Sequence, residues 1–135
     1  MFMQKPEQAE SYVQWLTFAE YDLEVAKIIL KKDRCIPPAI FHTQQCGEKA
    51  LKAFLAFHKQ KHVKIHDLVK LLRLCSRIDA TFMQLLPYAK SLNPFLTKTR
   101  YPDELFFMPS LDTLKISINE AEHILNFVKE RINVS

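Results

Sequence analysis

Leu111-Asp-Thr-Leu114-Lys-Ile-Ser-Ile118-Asn-Glu-Ala121-Glu-His-Ile-Leu125-Asn-Phe-Val128-Lys-Glu-Arg-Ile132 sets an apolar residue three or four positions apart along its whole length. That spacing draws one apolar stripe on a helix and fits no strand. It predicts a helix from Ser110 to about Ile132. The same reading extends outward. Tyr12, Leu16, Ala19, Leu23, Ala26 and Leu30 step by four and three, predicting a first helix from Gln8 to Lys31. Trp15, Phe18 and Val25 widen its stripe, and Pro37 and Pro38 bar its continuation. A second helix is predicted from Pro38 to Phe57, since proline is tolerated in a first turn. A third runs from Asp67, a suitable N-cap, to Arg77. A fourth runs from Ala80 to Leu92, with a kink or break at Pro87.

The composition agrees. Of 135 residues, 48% are hydrophobic and 25% charged, which describes a folded soluble chain of one domain, residues 1–135. Glycine occurs once, too rarely for tight hairpins or for any glycine-rich phosphate loop. Five amphipathic segments with short connections make an all-α, five-helix antiparallel up-and-down bundle. The stripe of the first or the fifth helix faces a second subunit, or all of it is spent on the chain's own core. Cys35, Cys46 and Cys75 are odd in number and form no C-x-x-C pair, which excludes a complete disulfide framework. No apolar run approaches the roughly 18 residues of a membrane span. A cytoplasmic protein without a membrane segment is the expectation.

Gly47 falls in the middle of the second helix, where it costs about 1 kcal/mol against alanine. Close approach of a backbone or ligand would justify it. The stretch Asn93 to Pro109 holds three prolines and four aromatics, so it is expected to be an ordered loop. Charge concentrates between Lys49 and Arg73, with seven Lys/Arg against Asp67 alone, a local +6 within a net +4. This basic centre suits a polyanion, or is a solvated lysine-rich surface.

Several residue sets could carry chemistry. His58, His62 and His66 are four apart and would share a face if one helix held them all. The surrounding lysines disfavour a dication and no H-E-x-x-H pattern is present, so neither metal nor cofactor is expected. His42 and Cys46 could form a thiol pair, but a helical cysteine is more often a small hydrophobe. On the second helix Gln45, Glu48 and Lys52 are neighbours, and Glu48 to Lys52 is a favourable i, i+4 pair. Gln44 and Gln45 interrupt the apolar stripe, which puts at least one against an interior groove. Arg100-Tyr101-Pro102-Asp103 offers a guanidinium fork for phosphate and a ring for stacking, or is a structural turn in which Arg100 pairs with Glu48 or Asp22.

Gln44-Gln45-Cys-Gly-Glu48-Lys49-Ala-Leu-Lys52-Ala53, then His66-Asp67-Leu68, then Arg100-Tyr101-Pro102-Asp103, resemble the HEPN domain family in order and spacing. The resemblance covers about Trp15 to Phe127. It implies a five-helix bundle, commonly a homodimer, often paired with a minimal nucleotidyltransferase in a toxin–antitoxin system. Many such relatives are metal-independent ribonucleases that use an arginine followed four to six residues later by a histidine. Here Arg100 is followed by Tyr-Pro-Asp-Glu-Leu-Phe-Phe-Met, without that histidine. The resemblance therefore implies a binding rather than a catalytic member, with Gln45, Glu48, Lys49, Lys52, His66, Arg100 and Tyr101 toward a nucleotide or RNA. The alternative is a ribonuclease built on an atypical pair, Arg100 with His66.

Overall fold

The computed structural model describes residues 11–61, 64–98 and 109–133. Every regular element among them is helical. Helix α1 spans Tyr12–Lys32, α2 Ile36–Phe57, α3 Leu68–Ile78, α4 Leu86–Leu92, α5 Phe95–Lys98 and α6 Leu111–Asn133, with a 3-10 segment at Ala80–Leu85. Each of the five expected helices corresponds to one of these elements or to an adjoining pair, and they make the all-helical bundle the periodicity requires.

Local chemistry sets the boundaries. Ser11 is extended and its hydroxyl accepts from the Gln14 N–H, so α1 starts at Tyr12. Residues 8–10 of the predicted first helix lie outside the described residues. Asp33 adopts the left-handed region at φ 56° and ends α1 behind Lys31 and Lys32, which complement the negative end of the helix dipole. Helix α2 begins at Ile36, before the prolines, and both occupy its first turn, where their missing N–H groups cost nothing. It ends with Lys59 at φ 62°, where the Gln60 N–H reaches Leu55 O at 2.8 Å and the Lys59 N–H reaches Ala56 O at 2.9 Å. This is a Schellman closure built without glycine. Asp67 caps α3 by accepting from the Lys70 N–H at 3.0 Å. The predicted fourth helix divides before Pro87. Asp79 caps a 3-10 turn through Thr81, and α4 starts afresh at Leu86. Within the expected loop Asn93–Pro109, residues Phe95–Lys98 form a short helical turn.

Helix α2 is the axis of the bundle. It packs most extensively on α1, then on α6, and touches α3, α4 and α5 as well. More than half its residues are buried, including Ile40, Leu51, Phe54 and Leu55. Phe54, Phe82 and Phe127 pack in sequence, the first pair tilted and the second edge to face, with ring centroids 4.2 and 4.9 Å apart. Such contacts add about 0.5–1.5 kcal/mol each to the burial of the rings. A Cβ at Gly47 would lie 3.5 Å from Ile124, 3.6 Å from Leu68 and 3.7 Å from Leu92, all ordinary side-chain contacts. The expectation of a backbone or ligand pressed against Gly47 is corrected: side chains of three helices surround it, and they leave room for a methyl group. Asn93 ties α4 to α3, since its Oδ1 accepts from the Leu68 N–H at 2.8 Å and its Nδ2 donates to Asp67 at 3.2 Å.

Candidate functional site

The polar residues of α2 recur at positions 44, 48 and 52, one above another on successive turns, with Gln45 beside them. Gln44, Glu48 and Lys52 are buried, at 0%, 3% and 4% exposure, although two of them carry charge. Burial of a charge is costly unless it is paired, and here the pairing is close. Lys52 donates to Glu48 Oε2 at 2.9 Å, and His66 Nδ1 lies 2.9 Å from the same oxygen. Gln45 Nε2 donates to Glu48 Oε1 at 3.3 Å and to Gln44 Oε1 at 2.7 Å. Gln44 Nε2 in turn donates to the His66 carbonyl at 3.4 Å, fixing the turn that carries the histidine. The indole of Trp15, from α1, lies 5.3 Å from the Lys52 ammonium.

The side chain of His66 is 57% exposed while its carboxylate partner is 5% exposed. A carboxylate paired with lysine only accepts, so the proton on this imidazole contact belongs to Nδ1. The other nitrogen, Nε2, is then available as a proton acceptor or, when the ring is charged, as a second donor. An interior ion pair thus holds an outward-facing imidazole in one tautomer.

A second carboxylate on the neighbouring face of α2 repeats the arrangement. Asp22 of α1 is buried, its Oδ2 accepts from Lys49 at 2.6 Å and its Oδ1 lies 2.7 Å from His42 Nδ1. Lys49 also lies 5.9 Å from the Phe18 ring. Of the residues singled out from sequence, Gln45, Glu48, Lys52 and His66 therefore come together, while Lys49 turns toward α1. Arg100 and Tyr101 lie outside the described residues. Asp22 and His42 were not foreseen as a pair. Their signal was Asp22 itself, a charge set within the stripe Ala19, Leu23 and Ala26.

Two weaker readings are corrected. Cys46 is fully buried; burial first, then the Asp22 charge, pushes its thiol far above the usual range, and His42 faces Asp22 instead. The two do not form a thiol pair. His58, His62 and His66 do not share a helix, because α2 ends at Phe57. His58 caps α2 and packs on Phe54 and Phe57, and His62 lies outside the described residues. Among the described residues, no helix is long and apolar enough to cross a membrane.

Helix α1 also leaves Val13, Phe18, Tyr21 and Ile28 exposed, each at half its surface or more.

Residues 12–132 match the HEPN domain family. A protein of Methanocaldococcus jannaschii named "Putative toxin MJ1304" is 30% identical over 125 residues, spanning 83% of this chain and 82% of its own length. The crystal structure of ST0689, described as an archaeal HEPN homologue, superposes with a TM-score of 0.73 at 29% identity, covering 91% of this chain and 98% of that one. The crystal structure of TT1696 from Thermus thermophilus gives 0.79 at 28% identity, covering 90% and 98%. The match runs from the first turn of α1 to the last turn of α6 and so takes in both carboxylate–histidine pairs: this chain belongs to the HEPN domain family.

Proposed function

We propose that this chain is a toxin-type HEPN module of the cytoplasm that binds RNA or a nucleotide at the Glu48–Lys52–His66 cluster. Gln45 flanks that surface, and Lys49, paired with Asp22, adds a positive charge on the neighbouring face of α2. Arg100 and Tyr101 complete it from the segment between α5 and α6, the guanidinium on phosphate and the phenol ring against a base. The observation that supports this best is the exposed His66 ring anchored at Nδ1 by a buried Glu48–Lys52 pair. Burying two charges to orient one imidazole serves stability poorly, since a well-packed apolar pair of similar volume does as well or better. It serves a surface that must present one nitrogen in one place.

The module acts as a homodimer through the exposed face of α1, where Val13, Phe18, Tyr21 and Ile28 lie. Its antitoxin is a minimal nucleotidyltransferase. The Methanocaldococcus relative's name supports the toxin assignment.

The test is a titration of a labelled single-stranded RNA and of free nucleotides into the purified protein over a range of salt. Affinity falls with salt, as phosphate contacts dictate. His66→Ala and Arg100→Ala each weaken binding about tenfold or more, the loss of a charge-assisted contact. Unchanged binding in both variants rejects the site.

A second reading, metal-independent ribonuclease activity, is favoured by the same Nδ1 contact. His66 Nε2 would take the proton of a 2′-hydroxyl as its oxygen attacks the adjacent phosphorus, Arg100 would hold the phosphate, and the departing 5′-oxygen would take a proton from water. Cleavage in the presence of EDTA that is lost in His66→Ala supports it. Intact RNA at high protein concentration removes it and leaves binding alone.

A further inference from the structure

Both protons of the Gln45 amide are directed inward. Its Nε2 donates to Gln44 Oε1 at 2.7 Å and to Glu48 Oε1 at 3.3 Å, which uses the full donor capacity of the group. Which way this amide points is fixed by its partners. Turned over, Gln45 would set its own oxygen against the Glu48 carboxylate, which only accepts. Gln44 cannot turn with it, because its Nε2 donates to the His66 carbonyl at 3.4 Å, and a carbonyl also only accepts. An acceptor at each end of the row thus sets the direction of both glutamines.

This leaves Gln45 Oε1. It receives no hydrogen bond from the described residues, and no side-chain nitrogen or oxygen among them is both buried and without a partner. The oxygen is therefore open to solvent, with its lone pairs available. The charges around it are already matched. Glu48 and Lys49, three and four residues beyond Gln45, share its side of α2. Glu48 pairs with Lys52 at 2.9 Å, and Lys49 pairs with Asp22 at 2.6 Å. What distinguishes this patch is a fixed neutral acceptor, not a surplus cation.

His66 Nε2 is its open neighbour. The ring hangs from Glu48 Oε2 and the Gln45 amide from Glu48 Oε1, so the two oxygens of one carboxylate hold the two groups side by side. The imidazole nitrogen accepts when the ring is neutral and donates when it is charged. It adapts to what it meets, whereas Gln45 Oε1 can only accept.

We propose that Gln45 Oε1 selects the base: it accepts from the exocyclic amino group of adenine, cytosine or guanine and disfavours uracil. This rests on RNA binding at the Glu48–Lys52–His66 cluster and names the bases that the same site takes. Next to the amino group, adenine and cytosine carry a bare ring nitrogen and guanine carries an N–H, and His66 Nε2 suits either. Uracil has one N–H on this edge, set between two carbonyl oxygens, so it turns an oxygen toward Gln45 Oε1.

The experiment titrates labelled RNA pentamers, U-U-X-U-U, in which X is adenine, cytosine, guanine, uracil or purine, the last being adenine without its amino group. The three amino-bearing bases are expected to bind about tenfold more tightly than uracil or purine. Gln45→Lys still donates to Gln44 and Glu48 but replaces the outward acceptor by a third N–H. Its charge tightens binding of every pentamer, and the preference for amino groups disappears or turns toward uracil. Gln45→Met removes acceptor and donors together and brings the five pentamers to within about twofold of one another. A residue that merely held Glu48 and His66 in place would change all five affinities by one factor and keep their order. Base selection is overturned if the parent binds the five equally, or if the parent's order survives in Gln45→Lys. Equal binding that still requires His66 leaves the RNA site standing, whereas pentamers that do not bind at all overturn both.

Discussion

Replacing Glu48 by glutamine keeps the volume of the side chain and removes its charge, leaving Lys52 without its carboxylate partner in the interior. Lys52 is 4% exposed and the Glu48–Lys52 contact is 2.9 Å. Breaking a pair of this kind from one side costs about 3–5 kcal/mol. The amide oxygen of the new residue can still accept from Lys52, and the Trp15 ring remains 5.3 Å from its ammonium, so the lower end, about 3 kcal/mol, is expected. For a chain of 135 residues the unfolding entropy near the midpoint is about 0.28 kcal/mol/K, which converts that loss to about 11 °C of melting temperature. Lys52→Met, on its own, takes the ammonium from Glu48 and leaves it to His66 and Gln45, and is expected to cost somewhat less. The double variant Glu48→Gln/Lys52→Met buries no charge and recovers most of the loss. Denaturant unfolding of the four proteins yields the coupling energy as a double-mutant cycle. A single-variant loss below about 1 kcal/mol, or a double variant no better than either single, would show that the pair is not the desolvated unit described.

Three further outcomes are expected. Gly47→Ala raises stability by about 0.5–1 kcal/mol, because helix propensity gains and the new methyl meets only ordinary contacts from Ile124, Leu68 and Leu92; a lowered denaturation midpoint would contradict that packing. Lys59→Gly also stabilises, by about 1 kcal/mol, by relieving the left-handed C′ position that closes α2, and the same unfolding assay reads it. Asp67→Ala removes the α3 cap and costs about 0.5–2 kcal/mol at neutral pH. Partial burial raises the Asp67 carboxyl, but hydrogen bonds from the Lys70 N–H, the Asn93 amide and the Val69 N–H outweigh it and carry the group below its usual range. A depressed folded value means stability present above the unfolded value near 3.9 and lost as pH falls through the folded one, so the gap between parent and variant should close below about pH 4; a gap that persists at pH 2 would refute the assignment.

The bundle was legible in the sequence because its information is local and periodic. The α6 stripe from Leu114 to Ile132 fixes a helix whatever surrounds it, and it is buried along its length. The α1 stripe and the Asp67 cap are of the same kind. Boundaries that depend on competition were less legible. The 3-10 turn before Pro87 forms because Asp79 captures the Thr81 N–H, a choice that periodicity does not encode. Closure of α2 at Lys59 uses a left-handed lysine at a position where glycine is the usual choice. Gly47 invited a steric explanation, although its neighbours are flexible side-chain ends.

The candidate site divides in the same way. Gln45, Glu48 and Lys52 were visible as neighbours on a polar face, and full burial of Gln44 is what an interrupted stripe implies. His66 joins them because Gln44 holds its carbonyl and Glu48 its ring, contacts that span a turn between two helices. Asp22 with His42 and Lys49 is tertiary in origin: residues twenty and more positions apart meet only once α1 folds onto α2. Arg100 and Tyr101 lie outside the described residues, and the titration of Arg100→Ala tests the part proposed for them.

The most direct test of the account is nitrogen NMR of the His66 ring, recorded with and without a short single-stranded RNA. The free protein should show a proton on Nδ1, held by Glu48, and RNA should shift the Nε2 resonance while leaving His58 in place. A ring protonated at Nε2, or a His66 signal unmoved when RNA is bound, would contradict the claim that the buried Glu48–Lys52 pair exists to present this nitrogen.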